Sequence, residues 1–69
     1  MKYAVVIEKT FTGYSGYVPD LPGIGVAAET RPCVRKLLRE AIDIYLHEQK
    51  GRGMRVPRAT TVAEYVEAA

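Results

Sequence analysis

The sequence predicts an α+β fold, a three-stranded antiparallel sheet with one long helix packed on one face. Three features predict it. Short segments rich in β-branched and aromatic residues occupy the first 30 positions. A cluster of prolines and glycine, Pro19-Asp20-Leu21-Pro22-Gly23, interrupts them. A stretch from Arg31 to Lys50 then repeats apolar residues at helical spacing.

The first strand is expected over about residues 2–9. Alternation puts Tyr3, Val5 and Ile7 on one side and Ala4 and Val6 on the other, so its middle is apolar on both sides and reads as a central strand. Thr10 to Gly13 forms a turn, and residues 14–18 return as the second strand, ending before Pro19, which cannot donate to a ladder. The Pro19–Gly23 cluster is a stiff turn, with two prolines fixing φ and one glycine free to take positive φ. The third strand follows over 24–29, with Ile24, Val26 and Ala28 on the core side and the small Gly25 and Ala27 opposite.

The helix is expected over about 31–50, with Thr30 as N-cap and Pro32 tolerated in the first turn. Val34, Leu37, Leu38, Ala41, Ile42, Ile44, Tyr45 and Leu46 cover one broad side, and Gly51-Arg52-Gly53 supplies the stop. Residues 54–59 read as a linker around Pro57. Arg55-Val56 has strand character that Pro57 would confine to a fourth, edge position. Thr61-Val62-Ala63-Glu64 has the spacing of a capping box, which predicts a short helix over 61–68.

Length and charge narrow the functional classes. The 69 residues read as a single domain, 1–69, and apolar burial barely offsets ordering entropy in so short a chain. Small scaffolds near that limit add disulfides, a metal or a partner chain. One cysteine, Cys33, and one histidine, His47, supply neither an internal disulfide nor four zinc ligands, so no metal or cofactor is expected. Self-association, as dimer or tetramer, or a protein partner remains. The longest aliphatic run, Ala4–Ile7, is four residues, so no membrane span and no secretion signal are expected, and the chain reads as cytoplasmic. The net charge of +2 is unevenly spread: residues 31–58 hold eight basic and three acidic groups, whereas 59–69 hold only Glu64 and Glu67.

No constellation makes an active site, so no catalytic residue is named and the chain is not expected to be an enzyme. Cys33 and His47 are separated by about 21 Å along one helix, beyond the reach of a nucleophile–base pair. Arg39, Asp43 and His47 at i, i+4 and i+8 read as an ion-pair ladder on a solvated face. Glu8, Asp20 and Glu29 lie at strand ends, too scattered for a metal cluster. Lys50, Arg52, Arg55 and Arg58 form a basic stretch without an aromatic residue for base stacking, and read as linker charge. Gly23-Ile24-Gly25 lacks the rest of a dinucleotide fingerprint. Tyr3, Tyr14 and Tyr17 read as core and interface residues.

The run Gly16-Tyr17-Val18-Pro19-Asp20-Leu21-Pro22-Gly23, followed by Glu29-Thr30 at the helix start and Leu38-Arg39-Glu40-Ala41-Ile42 within it, resembles the HicB-like antitoxin family over roughly residues 2–66. The resemblance implies a partial ribonuclease-H-like sheet with a helix on one face and no nuclease activity. It also implies a partner, a small HicA-type toxin that cleaves messenger RNA and has a double-stranded-RNA-binding-like fold. Many members of the family carry a C-terminal helix-turn-helix or ribbon-helix-helix segment that binds DNA. Here one short predicted helix stands in its place, so the chain reads as a short form and direct DNA binding is not expected. Arg31-Pro32-Cys33 also lacks the acidic residues common at that point of the family, which would favour the helix dipole.

The expected function is therefore that of a non-catalytic antitoxin that binds and occludes a HicA-type toxin. Tyr17, Asp20, Leu21 and Pro22 are the expected contacts, a stiff turn offering one aromatic, one anion and one apolar anchor. The alternative is an orphan, homo-oligomeric HicB-like module without a toxin, assembling through Val6, Tyr17 and Ala27 on the second sheet face. A third reading, RNA binding through Arg52, Arg55 and Arg58, predicts steep salt dependence.

Overall fold

A computed structural model describes residues 1–69. Its elements are β1 (Val6–Lys9), β2 (Tyr14–Tyr17), β3 (Gly25–Ala28) and α1 (Arg31–Gly51). The three strands form one antiparallel sheet in the order β1-β2-β3, so the α+β architecture with a single long helix is the observed one. Register follows the hairpin: Ile7 opposes Gly16, which opposes Val26 across the sheet.

The sheet corrects the placement of β1. Its apolar centre suggests a central strand, but β2 is central and β1 is an edge. β1 is also shorter than the expected 2–9, because its ladder ends where Val6 meets Tyr17. Beyond Tyr17, β2 gives way to the Pro19–Gly23 turn and the ladder is not continued. Residues 54–60 form no fourth strand; that segment is tied to the N-terminus by the Tyr3 hydroxyl, which donates to the Pro57 carbonyl at 2.6 Å.

Helix α1 begins where the chain chemistry dictates. Thr30 is extended at φ −130°, ψ 155°, and its hydroxyl accepts from the Cys33 N–H at 3.2 Å. Pro32 sits in the first turn, where a missing N–H costs nothing. The helix lies chiefly over β2 and β3 and touches β1 least. Close approach to β2 depends on Gly16. A Cβ there would stand 2.7 Å from Val34 Cγ1 and 2.9 Å from Leu38 Cδ1, distances that real side chains do not hold.

The fully buried apolar side chains are Val18, Leu21, Val34 and Leu38, with Tyr3, Val5, Ile7, Tyr14, Ile24, Val26, Ala28, Ile42 and Tyr45 packed around them. All of these lie between the helix and one sheet face. One reading of the helix needs correction: Ile44 is 62% exposed, on the flank of the apolar stripe. Cys33 is exposed at the helix start.

The short helix expected over 61–68 does not form, and residues 54–69 carry neither helix nor strand. The Thr61 hydroxyl, which a capping box would turn towards the Glu64 N–H, donates instead to Asp20 Oδ1 at 2.7 Å. A tertiary contact has taken the cap.

Candidate functional site

The stiff turn after β2 is the most tightly specified surface feature of the molecule. Val18 enters the core, Pro19 is exposed, and the Leu21 N–H donates to the Val18 carbonyl at 3.1 Å, closing the turn. Gly23 takes φ +92°, the left-handed conformation for which the sequence supplies a glycine. Pro22, exposed, stands between the buried Leu21 and this reversal.

Of the four expected contact residues, the structure buries one, engages one in hydrogen bonds within the chain and leaves two exposed. Leu21 is corrected outright: it is 0% exposed and anchors the turn from inside the core, so it cannot be an apolar contact for a partner. Asp20 is committed within the chain. Its Oδ2 accepts the N–H groups of Thr60 and Thr61, both at 2.9 Å, while Oδ1 accepts their hydroxyls at 3.2 and 2.7 Å. These bonds hold the Asp20 carboxyl below the usual carboxylate range, led by the Thr61 N–H and hydroxyl, with burial acting in the opposite direction and Thr60 adding to the lowering. A carboxylate so occupied fastens the chain after Pro57 to the turn rather than reaching for a cationic partner. Nothing local in the sequence signals this pairing across 40 residues, although adjacent threonines after a linker are the donor set a carboxylate prefers.

Tyr17 and Pro22 remain exposed, Tyr17 at 45%. Tyr17 belongs to the sheet face turned away from the helix, together with Val6, its direct cross-strand partner, and Ala27, diagonal to it across β3. The structure thus brings Val6, Tyr17 and Ala27 onto one face with the small Gly25, and no element of the chain covers that face. Tyr3 and Tyr14 lie on the helix side instead, half-buried, with the Lys9 ammonium 5.2 Å from the Tyr14 ring centroid.

Other charged constellations stay apart. Arg39, Asp43 and His47 are exposed along the helix, and Glu8, Asp20 and Glu29 do not converge on a common point. A second surface feature escaped the sequence reading. Where the helix leans away from β1, a groove of about 690 Å³ opens, lined by Val5 and Ile7 at its floor and by Arg31, Pro32, Arg35, Lys36 and Arg39 along its helix wall. Spacing at i, i+4 and i+8 puts the three arginines in one stripe, a signal the sequence carried.

Residues 3–69 match the family described as HicB-like antitoxins of bacterial toxin–antitoxin systems. The chain belongs to this family. A curated relative, a UPF0150 protein from Archaeoglobus fulgidus, is 41% identical over 51 residues, covering 72% of this chain and 74% of the relative. No solved structure matches the chain. Antitoxin membership implies a toxin partner and points to a non-enzymatic role. No helix is long and apolar enough to cross a membrane.

Proposed function

We propose that this HicB-like chain acts in the cytoplasm and silences a HicA-type, messenger-RNA-cleaving toxin by binding to it and covering its RNA-binding surface. The family match over residues 3–69 carries the reading. The surface best suited to the task is the uncovered sheet face with Tyr17 at its edge and Pro22 on the adjoining turn. Leu21 locks that turn from inside and Asp20 fastens it to Thr60 and Thr61, so few conformations are lost on binding. Tyr17 is the residue type that supplies most binding energy per side chain at such interfaces.

Coexpression tests this. A HicA-type toxin that arrests growth alone should be silenced by the chain, and Tyr17→Glu should lose protection while keeping the thermal transition of the parent. Full protection by Tyr17→Glu would remove this face from the interface.

A second reading, an orphan module that assembles through Val6, Tyr17 and Ala27, draws on the same uncovered face and on the small set of fully buried side chains. A chain that is monomeric at micromolar concentration by light scattering would exclude it.

A further inference from the structure

We propose that the groove between α1 and β1 receives the segment Val62–Glu67 of a second copy of this chain, and that two copies exchange these segments reciprocally. The groove and the segment are complementary on three counts.

The first is charge. Arg31, Arg35, Lys36 and Arg39 line the groove, and no acidic residue stands in the first turn of the helix to offset them. Residues 59–69 carry Glu64 and Glu67 and no basic group.

The second is apolar surface. Val5 and Ile7 form a floor that the helix leaves open. In the segment, Val62, Tyr65 and Val66 are 77%, 102% and 88% exposed, a concentration of large apolar side chains with no partner in their own chain. Glu64 and Glu67 flank Tyr65-Val66 in sequence, so seating the apolar residues on the floor brings carboxylates to the basic wall.

The third is placement. Asp20 grips Thr60 and Thr61 immediately before the segment, so its departure point is fixed on the fold, while the segment extends clear of its own groove. A twofold dimer uses each such contact twice, which suits individually weak ion pairs. The apolar part supplies the stabilisation that a domain with four fully buried apolar side chains lacks. This interface uses neither Tyr17 nor Pro22, so it stands independently of toxin binding.

Charge exchange tests it in the full-length chain. Sedimentation equilibrium of the parent should give a dimer whose dissociation constant rises with salt. Arg35→Glu with Arg39→Glu, and separately Glu64→Lys with Glu67→Lys, should each weaken self-association about tenfold or more. Mixing the two variants should restore association, since the unchanged acidic tail of the first then meets the unchanged basic groove of the second, while the reversed tail of the second meets a groove in which Arg31 and Lys36 are balanced by the two new carboxylates. All four positions are exposed, and circular dichroism should show an unchanged helix. Tyr65→Ala, which alters no charge, should also weaken the dimer. A monomeric parent, swapped variants that dimerise as before, or a mixture that stays monomeric would each overturn the proposal. So would a monomeric parent whose groove variants lose only binding of labelled RNA, which would make the groove a polyanion site, or only protection of the tail from protease, which would place the segment in its own groove.

Discussion

Leu21 and Asp20 are neighbours with opposite duties, and the difference lies in where the turn sends each side chain. Leu21 fills the core, so Leu21→Ala should cost about 2–5 kcal/mol. Domains of this size have only about 3–5 kcal/mol to lose, so a urea titration at 37 °C should find the variant largely unfolded. Asp20 works at the surface, and its effect depends on pH. Its folded pKa lies below the usual 3.8 because the charged form accepts four hydrogen bonds. Its stabilisation is therefore complete above 3.8 and is lost as the pH falls through the lower folded value. Protection of the Thr60 and Thr61 amides, taken relative to the intrinsic exchange rate at each pH, should be lost over that acid range and be retained at neutral pH. In Asp20→Ala that protection should be low throughout, and trypsin should cut faster after Arg58. The turn itself was legible from Pro19, Pro22 and Gly23. Which of its side chains faces inward was not, because that depends on the helix packed beneath it.

At the scale of elements, α1 was the most legible, since cap, first-turn proline, apolar stripe and glycine stop all agree locally. Thr30→Ala should cost about 1 kcal/mol by removing the Cys33 N–H acceptor, measurable as a lower denaturant midpoint at unchanged slope. Gly16→Ala should cost about 1–3 kcal/mol, because the added methyl must displace Val34 and Leu38 or lift the helix. A variant as stable as the parent would show that the helix is not seated so closely. β1 and the segment after Pro57 were misread for a common reason. Apolar residues on both sides made β1 look central, yet Val5 and Ile7 serve the core and groove while Val6 pairs with Tyr17 on the outer face. The capping-box spacing at Thr61 was real, and Asp20, 41 positions away, outcompeted it. Local pattern is decisive where no distant group offers the same donors a better acceptor.

For the whole molecule, a thin core under one sheet face leaves three surfaces open: the outer sheet face, the stiff turn at its end, and the basic groove beside β1. A fold that invests so little in its own interior is suited to binding other chains. The family was legible in the Gly16–Gly23 run as a resemblance, and the match over residues 3–69 establishes that membership. The exposure of the turn was half legible: Tyr17 and Pro22 are exposed as expected, while Leu21 is buried and the Asp20 carboxylate is taken up by Thr60 and Thr61. The groove went unread because its floor comes from Val5 and Ile7, at and just before β1, and its wall from α1, and no sequence spacing joins the two. The most direct test of the antitoxin reading is titration of the purified chain into a HicA-type toxin cleaving a labelled messenger RNA. Cleavage should fall to background near one chain per toxin, and the chain alone should cleave nothing. Undiminished cleavage at tenfold excess of the chain would contradict it.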